Sequence, residues 1–246
     1  MTQEQKEAEL KKLDETISNI WKKIFSLKEA AGFFEKITGK DKRIYALYMT
    51  QVYHYSYYTA RHMGLAGANL FNKNVHFMQY SFEHASEETG HELMALHDLK
   101  AVGVPIEEAE KDMPPALPGN EMLIAYVKYL SESEHPFRML GYSYWIESPY
   151  KYVLQFMETM QKSMELESKQ MTFYYQHMQI DQKHGGDVIK ILMKVCNTPE
   201  QWNMVREVTE NSLQMMLNLF VEIFAEYDKL VKGESKNFAI LNNISY

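Results

Sequence analysis

Apolar residues recur every three or four positions along most of the chain, a period that predicts helices rather than strands. Leu10, Leu13, Ile17, Ile20, Trp21, Phe25 and Leu27 make one stripe of a first helix, and Thr2 and Gln5 stand at capping-box spacing at its start. After a break near Gly39 to Asp41, a second helix is predicted from about Lys42 to about Leu70, crowded with Tyr45, Tyr48, Tyr53, Tyr55, Tyr57 and Tyr58. Asn72 and Asn74 mark a turn, and a third predicted helix runs to Leu99, where Gly103 and Pro105 stop it. The densest breaker cluster lies between Met113 and Gly119; we read 104–120 as a long surface connection, because helical patterning of the same character resumes at Glu121.

A helix from about His135-Pro136 is predicted to run past Glu147, with Pro149 kinking it. Helices over roughly 164–184 and 186–196 follow, with Gly185-Gly186 as a bend between them. Thr198, Pro199 and Gln201 supply an N-cap, a proline at the first helical position and a capping-box partner for a last helix ending near Lys232. No segment alternates with period two and no tandem repeat is present. The expectation is an all-α single domain over 1–232, a bundle of about seven to eight helices, with a loosely held tail from Gly233 to Tyr246.

Composition narrows the function classes. Hydrophobic residues make up 46% and charged residues 24% of 246, ordinary values for a soluble globular chain. A net charge of -7 and a pI near 5.7 argue against nucleic acid or an anionic membrane surface as partner. The single cysteine, Cys196, excludes an internal disulfide and a thiolate metal cluster, and its place at a helix end suggests an inert residue. The polar N-terminus lacks the apolar core of a signal peptide, and no apolar run approaches the ~20 residues that span a bilayer. We therefore expect a cytoplasmic protein; long amphipathic helices suggest a homodimer.

Two segments carry chemistry. His84, Glu88 and His91 in the third predicted helix, and His177, Asp181 and His184 in a later one, both follow the order His, carboxylate four residues on, His three further. On a helix at ~100° per residue these steps keep the three side chains near one line. Each helix then aims imidazoles and a carboxylate into one interior space, a mixture of nitrogen and oxygen donors that suits iron or manganese. Glu-x-x-His on two helices with lone glutamates on others is the logic of bundle di-iron sites. Glu147, among Tyr144, Trp145 and Ile146, reads as a core glutamate that needs a cation. His54, on the tyrosine-rich helix with Gln51 and His62 on its face, is a further candidate ligand. His84 suits an outer role orienting Glu88, with Tyr144 also beside the site. A lone Glu-x-x-His is otherwise a solvated helix face; Glu83, Glu87 and Glu92 are read that way, and His76, His97 and His135 as surface or satisfied core histidines.

The run from Glu87 to Gly103, Glu147 in GYSYWIES, and HMQIDQKHGGD together resemble the haem-oxygenase-like fold, and within it the di-iron oxidases and oxygenases, the iron-containing redox enzymes of that fold. The resemblance extends over about residues 40–230. It implies Glu88, His91, Glu147, His177, Asp181 and His184 as metal ligands, at separations of 56 residues (91 to 147) and 30 residues (147 to 177). Where the family's earlier helix brings a further carboxylate, this chain has His54 among tyrosines. Thiaminase-type hydrolases of the fold need a mid-chain nucleophilic cysteine, and Cys196 lies too late; haem oxygenases need a histidine near the N-terminus, and the first helix has none. The expected activity is O2-dependent oxidation of a small organic substrate, an amine or a carrier-bound molecule among them. Two iron ions would be the cofactor, or manganese or a mixed pair, with an external electron donor. The tyrosines around His54, with Tyr144, Tyr174 and Tyr175, also admit oxidation of the protein's own tyrosine. The alternatives are a cofactorless oxidase of the quinone-biosynthesis type, using its histidines as acids and bases, and a non-catalytic helical binding protein.

Overall fold

The structure is a computed structural model that describes residues 1–26, 39–147 and 150–244, with side chains omitted at 24, 150, 151, 153, 155 and 178–183. Among the described residues it holds ten α-helices and no strand. They are α1 (Gln3–Ser26), α2 (Arg43–Ala68), α3 (Val75–Glu87), α4 (Glu92–Ala101), α5 (Ala109–Asp112), α6 (Pro118–Glu132), α7 (Leu140–Ile146), α8 (Tyr150–Ser163), α9 (Thr172–Val195) and α10 (Pro199–Val231). None is long and apolar enough to cross a membrane.

The longest helices begin where local chemistry says they should. Thr2 and Gln5 exchange reciprocal bonds at the start of α1, Gln5 N donating to Thr2 Oγ1 at 3.2 Å and Thr2 N to Gln5 Oε1 at 2.8 Å. Thr198 and Gln201 repeat the device at the start of α10, satisfying amides a helix cannot pair internally. The apolar stripe of α1 buries Leu13, Ile17 and Trp21 against α10. At ~1.5–3 kcal/mol for each fully buried large side chain, this stripe outweighs any helix propensity. The helix α2 packs on α3, α4 and α6, while α10 packs on α1, α6 and α7. Between these groups α9 touches α3, α4 and α7, the elements that carry the candidate ligands. Its N-terminus is held from a distance: buried Asp98 of α4 accepts from Thr172 N at 2.8 Å and Phe173 N at 3.0 Å, and from Tyr45 of α2 at 3.2 Å.

Several sequence expectations need correction. The helix predicted to run unbroken to Leu99 is two helices, because Gly90 adopts φ +91° and the chain turns through 88–91. The helix predicted to pass Glu147 is a 3-10 turn over Pro136–Met139 followed by α7, which ends on Glu147; Pro149 lies outside the described residues. Gly185 and Gly186 do not separate two helices, since α9 runs through both. The ~1 kcal/mol that each glycine costs a helix is outweighed by burial of Val188, Ile191, Leu192 and Val195 just beyond. Helix α6 starts at Pro118 rather than Glu121, and the preceding connection buries Val104, Ile106 and Leu117. The tail expected to be loose is packed: Phe238, Leu241 and Ile244 are buried and Ser235 donates to Glu226.

Candidate metal centre

Three helix ends converge in the interior. His84 lies on the last turn of α3, Glu88 follows that helix directly, and the Gly90 turn then brings back His91. Glu147 ends α7, and α9 contributes His177 and His184 two turns apart. These residues form two donor groups, His84–Glu88–Glu147–His184 and Glu88–His91–His177, and within each the donor atoms lie within 4.8 Å of one another. Glu88 belongs to both.

In the first group Glu147 is clamped between imidazoles. Its Oε1 is 3.3 Å from His84 Nε2, and its Oε2 3.3 Å from His184 Nδ1. Glu88 Oε1 stands 3.7 Å from the same His184 nitrogen, beyond hydrogen-bond reach. In the second group Glu88 Oε2 is 3.1 Å from His91 Nδ1, while the His91 and His177 rings meet edge to face at 4.7 Å. His177 Nδ1 lies 2.8 Å from the Phe173 carbonyl. That bond makes Nδ1 the donor and leaves Nε2 as an acceptor, the tautomer a metal ligand needs.

The electrostatics follow from burial and pairing. Burial works to raise the Glu147 carboxyl, but the hydrogen bonds from His184 and His84, and then their charge, hold it far below the usual carboxylate range. Burial works to lower His84 and His184, and in each case the Glu147 hydrogen bond and charge, with Glu88 adding to them, raise the imidazole instead. His177 is lowered by burial, with the pull of Glu88 against it. Among the described residues, buried Glu88 Oε1 makes no hydrogen bond, and buried His91 Nδ1 makes none of good geometry despite standing 3.1 Å from Glu88 Oε2. Leaving such groups unpaired costs ~1–3 kcal/mol each, more for a charge.

The remaining predicted residues fall elsewhere. The side chain of Asp181 lies outside the described residues. His54 is not brought to the cluster; its Nε2 is 2.7 Å from the Pro114 carbonyl, facing a surface groove between α2 and α6. Tyr144 points away, donating to Asp14 of α1 at 2.9 Å. Tyr142 lines the interior in its place. His84 stands against Glu147, its Nε2 3.3 Å from Oε1. Glu87, expected to meet water, comes within 3.0 Å of His184 Nε2. Glu87 is the last residue of α3, and nothing near it in sequence announces the His184 ring supplied by α9. Cys196 is buried, and burial pushes its thiol up to about 12, as an inert residue requires.

A cavity opens beside the cluster. Glu88, Glu147 and His177 form one wall, and Trp21, Tyr48, Tyr55, Tyr142, Phe173 and Phe220 supply most of the rest, with the Ser56 and Thr59 hydroxyls among them. Mostly apolar walls with a few convergent polar groups are the usual build of a small-molecule site.

A family model described as iron-containing redox enzyme matches residues 46–216. A solved structure from Shewanella denitrificans, a domain of unknown function with a heme oxygenase-like fold, is 32% identical; the match covers 93% of this chain and 97% of that one at a TM-score of 0.85. Two TenA homologues share the fold at lower identity. That from P. horikoshii is 14% identical, with 88% of this chain and 98% of that one covered at a TM-score of 0.66. That from Pseudomonas syringae is 17% identical, with 89% and 93% covered at 0.64. No curated protein matches the chain in sequence.

Proposed function

The chain belongs to the iron-containing redox enzyme family, and from that premise we propose that it is a non-haem di-iron oxidase or oxygenase acting on a small organic molecule in the aromatic cavity. The carrying observation is Glu88, buried, common to both donor groups and left with an unsatisfied oxygen. A carboxylate in that position fits a cation on each side. Stability alone does not account for it, since among the described residues two carboxylates and four imidazoles share this interior and burying ionisable groups is costly unless they are paired or coordinated. The donor set, imidazole nitrogen with carboxylate oxygen and no thiolate, suits iron.

On this reading His84, Glu147 and His184 would hold one ion, His91 and His177 the other, and Glu88 would serve both. Bound iron supplies the one-electron chemistry with O2 that no side chain here can perform. The protein's own part is geometric and electrostatic. Glu147, held ionised by two imidazoles, keeps its charge across the physiological range. His177 presents Nε2 because the Phe173 carbonyl holds Nδ1. The rings of Trp21, Tyr48, Phe173 and Phe220 exclude water and seat an apolar substrate, and the Tyr55, Ser56 and Thr59 hydroxyls can orient its polar end. An external donor would return the electrons.

The test is anaerobic titration of metal-free protein with Fe(II), then mixing with O2 under stopped-flow absorbance. Saturation near two irons per chain and a transient visible band after O2 is the expected result. No binding, or binding that survives Glu88→Ala together with His184→Ala, overturns the ligand assignment.

A further inference from the structure

We infer that Glu87 is a positioning residue for His184, fixing which imidazole nitrogen is offered to metal. The inference rests on the metal reading above and adds to it an outer residue and a ligating atom. His184 is bracketed by consecutive glutamates. Glu87 Oε2 lies 3.0 Å from Nε2, whereas Glu88 Oε1 and Glu147 Oε2 lie 3.7 and 3.3 Å from Nδ1. An imidazole gives a metal one nitrogen, and among the described residues it is Nδ1 that faces the oxygens of the donor group. Glu147 takes the hydrogen bond of Nδ1, and a metal would replace that proton; a carboxylate beside Nε2 then keeps the remaining proton there, orients the ring and raises the basicity of Nδ1.

The last turn of α3 makes the bracket. Successive residues on a helix point ~100° apart, and Glu88 keeps that spacing, its φ of -78° and ψ of -7° being helical and its N–H donating to the His84 carbonyl at 2.9 Å. Glu88 thus lies on the inner side of His184 and Glu87 on the outer side. Helix stability does not explain Glu87: a carboxylate at a helix C-terminus meets the negative end of the dipole and costs ~0.3–1 kcal/mol. Its side chain is 40% exposed, against 3% for His184. The pair thus sits at the boundary between solvent and the buried centre. Exposure screens the interaction, so the effect on affinity should fall near the lower end of the ~10–100-fold range for outer partners of metal ligands.

The experiment compares Fe(II) isotherms, measured anaerobically by calorimetry, for wild type, Glu87→Ala, Glu87→Gln and the control Glu83→Ala, an exposed glutamate on the same helix. Glu87→Ala should weaken one of two sites about tenfold and leave the other unchanged. Glu87→Gln, whose amide oxygen still accepts a proton, should fall between, and Glu83→Ala should match wild type. A second readout is independent of affinity. In Zn(II)-loaded protein with 15N-labelled histidine, long-range 1H–15N correlations should show His184 with Nδ1 on metal and Nε2 protonated, the His184→Ala spectrum supplying the assignment. A Glu87→Ala isotherm identical to wild type overturns Glu87's role while leaving the metal centre in place, as does metal on Nε2. Loss of a whole metal equivalent in Glu87→Ala makes Glu87 a ligand and also overturns it. Wild type that binds no metal overturns both readings.

Discussion

Gly141 should not tolerate alanine, although alanine is the better helix former. It lies in α7, where that helix crosses α10. A Cβ there would sit 2.2 Å from the Val205 carbonyl oxygen, 2.9 Å from Thr209 Oγ1 and 3.0 Å from Thr209 N. Two of these neighbours are backbone atoms of a buried helix and cannot swing aside. The Thr209 hydroxyl also donates to the Gly141 carbonyl at 2.9 Å, a bond that separating the helices would break. Overpacking costs ~1–3 kcal/mol and the lost hydrogen bond about 1 kcal/mol. The propensity gain of replacing glycine returns at most about 1 kcal/mol. The net expectation is a loss of about 2 kcal/mol, or ~4–8 °C in Tm for a chain of this size. Gly64 is the control: it lies inside α2 with nothing within 4 Å of its added Cβ, so Gly64→Ala should stabilise by up to about 1 kcal/mol. Thermal unfolding of the metal-free proteins, followed by far-ultraviolet circular dichroism, measures both. Because Glu147 ends the same short helix, Gly141→Ala should also weaken Fe(II) binding, whereas Gly64→Ala should not. A Gly141→Ala protein as stable as wild type, or more so, would refute the close crossing of α7 and α10.

Further outcomes follow from the centre. Fe(II) at about 100 times its Kd should stabilise the protein by ~2.7 kcal/mol, a rise of ~5–11 °C in Tm that a chelator reverses and that Glu88→Ala abolishes; an unchanged melt with Fe(II) would count against the site. This increment should grow between pH 6 and pH 8. Burial is outweighed at His84 and His184 by Glu147, so both imidazoles hold their proton above the ordinary 6.5, and metal must displace it. The metal-free chain should behave in the opposite sense: stabilisation by the raised histidines is fully present below about 6.5 and is lost as pH rises through their raised values. Melting curves with and without Fe(II) across that range test both signs, and a pH-independent increment would contradict them. His54→Ala should leave iron stoichiometry untouched and cost about 1 kcal/mol for the lost bond to the Pro114 carbonyl; a missing equivalent of iron would restore His54 as a ligand.

What could be read from the sequence was what local chemistry determines. The starts of α1 and α10 are set by Thr2 with Gln5 and by Thr198 with Gln201, bonds between residues three apart, so inspection finds them. The candidate ligands were legible for a related reason: His84 and Glu88, or His177 and His184, lie one and two helical turns apart, and apolar flanks send both inward. Partners were not legible, because partners are tertiary. Nothing near His84 announces that α7 ends opposite it and supplies Glu147, and nothing near Asp98 announces that it caps α9, 74 residues on. Likewise, helical neighbours say nothing of the Pro114 carbonyl that takes His54. The instructive error lies at Gly90. Treating 75–99 as one helix placed Glu88 and His91 on one face and sent Glu87 to solvent. In the structure the chain turns at Gly90, yet His91 still returns to 3.1 Å from Glu88, because a tight turn shortens the path between residues three apart much as a helical turn does. The Glu-x-x-His motif survives that backbone error, and the bracket around His184 was hidden for another reason: Glu87 is still helical, and the ring that meets it comes from α9. The readable cue to the break was the glycine itself: an isolated glycine inside a helical pattern asks for a packing or functional reason, and here the reason is a positive-φ turn that leads into α4 and sets His91 beside Glu88.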